Sequence, residues 1–222
     1  MRGPFLYIST AKLASIATPR RGWWRRITGV NAGVPGASVG LSVAPEAASW
    51  PRTIETIEQR LTAEGRVASA HAAAVEEAGG LFGFEGHAAI LAAEGAYWLA
   101  TITDDAAILL VGSLGHAIGA PPAATDTIFP PSSADPRSAI EALLEGADVG
   151  AESAAGAWEH VARYALGPAG RLSDLPRVRG IADYRNRSRL DRSGSDALAG
   201  LAGHDGPLAA VVVGSPLWVE SI

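Results

Sequence analysis

The sequence predicts an α/β (or α+β) fold, with a mixed, mostly β-sheet core flanked by four or five helices. Three observations carry this. Short apolar, β-prone runs recur along the 222 residues, bounded by Gly, Pro and Asp. Segments with helical apolar spacing are interspersed with them. Hydrophobic residues make up 48% of the chain and cysteine is absent, so a sizeable core is available and nothing staples it covalently. No linker interrupts the pattern, and residues 1–222 read as one domain.

Phe5 to Ser9 is the opening strand, followed by a short helix over Thr10 to Ala17 that Ser9 or Thr10 caps and Pro19 ends. Val39 to Val43 is a weak strand. Pro51 opens the next helix, whose Ile54, Ile57 and Leu61 share a face. Val67 to Ala78 is alanine-rich and helical, closed by Gly79-Gly80. Leu81 to Leu91, Ala96 to Thr103 and Ala106 to Val111 are strands, the last two joined as a hairpin through Asp104-Asp105. Gly112 to Ala134 is a long loop. Asp135-Pro136 starts a helix reaching Glu145. A further helix covers Glu152 to Leu166, with Trp158, Val161, Ala162 and Ala165 on its apolar face. Residues 167–206, rich in Gly, Arg, Asp and Ser, read as largely loop and partly flexible. Leu208 to Val213 is a buried strand that Ser215-Pro216 breaks, before a last short strand over Leu217 to Ile222.

Composition narrows the function classes. Net charge is −5, but residues 1–45 carry six basic groups and no acid, and residues 171–192 carry seven arginines against three aspartates. Such asymmetry points to an anionic ligand or partner near those segments, while the net negative charge argues against general nucleic-acid binding. Trp23 and Trp24, flanked by Arg20, Arg21, Arg25 and Arg26, form a candidate protein-docking segment. No apolar run is long enough to span a bilayer and no signal peptide is evident, so the expected location is the cytoplasm. The histidines (His71, His87, His116, His160 and His204) lack metal-ligand spacing, so no metal is expected. The Gly33–Gly40 series is neither a dinucleotide fingerprint nor a P-loop, and no cofactor is expected.

Three segments stand out: Tyr7-Ile8-Ser9-Thr10-Ala11-Lys12-Leu13; Leu110-Val111-Gly112-Ser113-Leu114-Gly115-His116-Ala117-Ile118-Gly119; and Val213-Gly214-Ser215-Pro216-Leu217-Trp218-Val219. Their order resembles an uncharacterised bacterial family, common in actinobacteria, that is known only as a domain of unknown function. The resemblance implies that most of the chain is one unit, and brings no activity with it.

In each segment an apolar strand ends in a serine: Ser9, Ser113, Ser215. Ligands of α/β sheets bind beyond the carboxyl ends of strands, so neighbouring parallel strands would bring these serines to one rim. Lys12 is the only lysine among 18 basic residues, a background in which a compact, titratable ammonium stands apart from guanidinium. The expected pocket is therefore lined by Ser9, Lys12, Ser113, His116 and Ser215, with Trp218 as a wall. It would bind an anionic or carbonyl-bearing small molecule as a sensor or accessory module. The alternative is an enzyme using Ser9, Lys12 and His116 for hydrolysis, acyl transfer or cyclisation. A third reading is an interaction module acting through Trp23 and Trp24.

Overall fold

The long strand β3 (Leu81–Ala93) organises the molecule by changing partners midway. The computed structural model describes residues 3–16, 50–75, 79–93, 95–118, 139–140, 154–167 and 170–222. By its internal contacts the chain falls into two compact units, Met1–Thr10 with Arg66–Ile222, and Ala11–Gly65. The Trp23-Trp24 segment, the Val39 strand and all but two residues of the helix expected from Asp135 lie outside the described residues.

In the larger unit, β3 pairs antiparallel with β6 (Arg177–Arg189) along Leu81–His87 and with β4 (Ala96–Thr103) along Ala88–Ala93. The switch falls between His87 and Ala88, just past Gly86, where a Cβ would run into the Ile102 carbonyl. Two hydroxyls replace the missing ladder bonds there. Thr101 Oγ1 donates to His87 O at 2.7 Å, and Thr103 Oγ1 donates to Glu85 O at 2.9 Å. Asp104, in the left-handed region at φ 53°, turns β4 into β5 (Ala106–Ser113), as the hairpin signal predicts. β5 lies parallel to β7 (Ala210–Ser221), and β7 lies antiparallel to β6. The circuit β3-β4-β5-β7-β6-β3 is a closed five-stranded barrel. Two strands extend it: β1 (Phe5–Ile8) on β7, and β2 (Val67–Ala68) on β3.

Strand alternation sends one residue set into the barrel and the other outward. Phe82, Phe84, Leu99, Ile108, Leu110 and Val212 fill the interior, and the short helix α3 (Ala70–Val75) packs its alanines on the same cluster. Among the described residues the interior is thus a packed core. Outside, Trp98, Leu109, Val211 and Val213 are buried beneath α4 (Ala154–Leu166) and α5 (Arg192–Ala202). Strand order, the single parallel junction and a helix between the third and fourth barrel strands match the connectivity of Greek-key OB barrels. Those barrels commonly bind polymers on the outer wall of their second and third strands. Here that wall carries Trp98, Ala100, Ala107 and Leu109 under the helices.

The smaller unit holds nearly all of α1 (Thr10–Ile16) and the amphipathic α2 (Trp50–Ala63). Pro51 sits in the first turn of α2, and Ile54, Ile57 and Leu61 are all buried, as their spacing predicts. Arg60 Nη2 donates to Ile16 O at 3.1 Å.

Four sequence expectations change. Residues 167–206 are ordered into β6 and α5 rather than loop. The inward positions of β6 include Gly180 and Ala182, and its outward arginines pair with Glu85, Asp183 and Glu220, so apolar periodicity is absent although the strand is central. Arg187 donates to Ala74 O and Val75 O, closing the last turn of α3. The helix expected over Val67–Ala78 begins instead with β2, because Ser69 caps α3 by accepting from Ala72 N at 3.1 Å. Ser215-Pro216 does not break β7: Leu217 bulges between the Pro216–Ala182 and Trp218–Ile181 pairs, where the missing proline N–H costs no ladder bond. Finally, only β5 and β7 of the three serine-ending strands are parallel. β1 runs antiparallel to β7, yet its end still reaches their rim because Ser9 N donates to Leu217 O at 2.8 Å.

Candidate functional site

The rim where β1 and β5 end is built around Tyr7. Strand parity turns its ring onto the inner face, where it is 1% exposed. Gly112 makes this position possible: a Cβ there would lie 2.6–2.7 Å from the Tyr7 phenol. In the β4–β5 register Gly112 faces Tyr97, whose ring centroid is 5.2 Å from that of Tyr7. The chain then leaves β5 through a single 3-10 turn, Leu114–His116, capped by Ser113 Oγ accepting from Gly115 N. This turn returns the main chain to β1: Tyr7 bridges Ala117, and Ile118 N donates to Leu6 O at 2.9 Å. It also stands the His116 ring edge-on to Tyr7 (90°, centroids 5.8 Å apart), with Nδ1 3.3 Å from the phenol oxygen.

Burial dominates the electrostatics. It pushes the Tyr7 phenol up to about 12, against opposing pulls from the Ser113 main chain and the Ser9 side chain. Burial, followed by the neighbouring Tyr7, also raises Tyr97. Both rings are therefore neutral phenols at physiological pH. Ser9 is fully buried, and its hydroxyl, on the Tyr7 side, reaches no partner in hydrogen-bond geometry among the described residues. Tyr97 Oη is likewise buried without a partner among the described residues.

Of the residues singled out from sequence, Ser9 and His116 flank Tyr7, and Ser113 contributes its main chain. Ser215 Oγ donates to Val111 O at 2.9 Å. Trp218 is 1% exposed, registered between Ile8 and Ile181. Lys12 sits half-buried on α1, in the smaller unit. Tyr7 and Tyr97 were not singled out, although the turn at Asp104-Asp105 sets the register that puts Tyr97 opposite Gly112.

A concavity of about 700 Å³ lies beside α5, lined in part by Asp191, Ser195, Asp196 and His204. Its polar groups are largely engaged. Asp191 caps α5 by accepting from Gly194 N, and Ser195 Oγ accepts from Leu208 N, each at 2.7 Å. Among the described residues no group of three or more metal-binding side chains occurs, and no helix is long and apolar enough to cross a membrane.

Fold and rim together define a packed five-stranded Greek-key barrel, helix-covered on its outer wall, with a tyrosine–histidine cluster closing one end. The chain belongs to a family of unknown function, DUF7019, whose model matches residues 4–222. No curated protein and no solved structure matches it.

Proposed function

We propose that the protein binds a small molecule bearing an anionic or carbonyl group at the Tyr7 rim, and acts as a sensor or accessory module. One observation supports this above the others: two buried hydroxyls, on Ser9 and Tyr97, stand beside Tyr7 without partners in hydrogen-bond geometry among the described residues. An unsatisfied buried polar group costs about 1–3 kcal/mol, a cost that a ligand supplying the missing partners removes on binding. The half-exposed His116 marks the way in, because the barrel interior itself is filled. Lys12, Ser113, Ser215 and Trp218 remain part of the proposed binding set from their positions in the three motifs.

Tyr97→Phe separates the two sides of this balance. Removing an unpartnered buried hydroxyl should leave stability unchanged or raise it by up to ~1 kcal/mol. It should also weaken binding of a small carboxylate or ketone at least ten-fold. Ligand-observed NMR with such fragments, beside thermal melts of both proteins, reads both. A destabilised variant, or fragments that bind both proteins equally, would overturn the reading.

The second reading is an enzyme using the same pocket, favoured by the Tyr7–His116 contact, which orients an imidazole as acid–base catalysis requires. Ser9, Lys12 and His116 are then its candidate catalytic residues. Turnover of an ester fragment would favour it, and binding without turnover would leave the sensor.

A further inference from the structure

We propose that the chain dimerises by exchanging its N-terminal segment, so that β1 of one copy fills the β1 seat of the other. The Tyr7 rim is then built from two copies, one supplying Tyr7 and Ser9. This goes beyond the small-molecule reading and does not depend on it.

β1 is a wedge in a shaped seat. On one side it pairs with β7, and Ser9 N donates to Leu217 O at 2.8 Å. On the other, Tyr7 bridges Ala117 and Ile118 N donates to Leu6 O. The seat also selects a side chain, because the Tyr7 ring occupies the space that Gly112 leaves open. None of this is needed to close the barrel, whose five-stranded circuit runs from β3 to β7 without β1. The seat is therefore complete before β1 arrives and matches one sequence. A second copy carries that sequence as well as the first does.

The covalent path makes the exchange simple. β1 belongs to the larger unit by its contacts, yet the chain runs on from it into the smaller unit and re-enters the barrel at Arg66. Residues 1–65 thus join the barrel through one connection, Glu64-Gly65-Arg66, between the end of α2 and the start of β2. Residues 62–66 are all exposed, so the turn has no buried side chain to lose when it opens. Gly65 N donates to Thr62 O at 3.0 Å, and its φ of 63° lies in the left-handed region. No atom lies within 4 Å of the position a Gly65 Cβ would take. Closed and exchanged forms share the β1 contacts, so protein concentration and the conformation at Gly65 set the balance between them. A residue that resists the left-handed region there opposes the closed form.

The test exploits the absence of cysteine from the chain. The antiparallel bridge at Tyr7 and Ala117 sets Leu6 opposite Ile118. Full-length Leu6→Cys and Ile118→Cys proteins are unfolded together in urea, refolded at high concentration and oxidised. The expected product is a disulfide-linked heterodimer joined between positions 6 and 118. The same two proteins refolded apart and then mixed should give none. A chain carrying both changes, refolded dilute, is the reference and should link within itself. In a second arm, Gly65→Val in the otherwise unchanged chain should raise the association constant for the dimer about ten-fold or more, read by sedimentation. If the double variant links internally while the co-refolded single variants give no more heterodimer than the separately folded ones, exchange is overturned. A folded Gly65→Val protein that associates no more than the wild type overturns it independently.

Discussion

Trp158→Ala should lower the unfolding free energy by about 3–5 kcal/mol, the usual cost of deleting a large buried aromatic. Trp158 is fully buried on α4, in the outer core that includes Trp98, Val161 and Val213. Its second role raises the expectation toward the top of that range. The indole Nε1 donates to Thr101 O at 3.1 Å. Thr101 is also the residue whose hydroxyl bonds His87 O where β3 leaves β6 for β4. Removing the indole therefore opens a cavity and strands a carbonyl at the bend of the barrel. Trp158→Phe separates the two: it keeps most of the volume and loses only the hydrogen bond, at about 1–2 kcal/mol. Urea unfolding of the three proteins at matched m-values decides it. A loss below ~1.5 kcal/mol for the alanine variant would show that α4 covers the barrel without anchoring it.

Arg179→Ala is expected to cost about 3 kcal/mol, because it takes from a buried carboxylate the guanidinium that is paired with it. Glu220 is fully buried on β7, opposite Phe5 of β1 and Arg179 of β6. Its Oε1 accepts from Arg179 Nε at 2.7 Å, while the arginine side chain is 38% exposed. That exposure sets the estimate at the low end of the range for buried pairs. The identity of the penalty is testable. If the lost charge pairing is the cause, Glu220→Gln in the Arg179→Ala background should recover more than half of the lost stability. If the double variant is as unstable as the single one, lost packing of the arginine stem explains the effect. The surface pair Arg163–Glu159, by contrast, is solvent-exposed at 65% and 35% and should contribute under ~1 kcal/mol.

Much of the fold is legible in the sequence where a single physical signal dominates. The apolar stripe Ile54-Ile57-Leu61 gives α2, and Trp158-Val161-Ala162 gives the buried face of α4. Asp104-Asp105 gives the β4–β5 hairpin. The signal fails where the buried side of a strand needs little bulk. β6 closes the barrel with Gly180 pressed against Phe84 and the Trp218 carbonyl, so its inward positions, Val178, Gly180 and Ala182, leave only a faint apolar trace. Its outward arginines look like solvated loop until their acids, brought from β3 and β7, are known. The same logic divides the candidate site. Strand-end serines are visible as a pattern, and Ser9 and His116 do meet Tyr7. Tyr7 itself reads as an ordinary strand aromatic, because the vacancy it occupies is made by Gly112, a residue more than a hundred positions away.

The pairing of β1 with β7 carries a consequence for biosynthesis. Phe5 is opposite Glu220, so of the described elements the first to leave the ribosome has the last as its partner. Until β7 is made, β1 presents backbone donors and acceptors with nothing native to receive them, and neighbouring nascent chains offer the same groups. Barrel closure is subject to the same delay, since β5 and β6 also wait for β7. The helices and the β4–β5 hairpin can form as they are made, whereas the rim that gathers Tyr7, Ser9 and His116 comes into being only once β7 has been made.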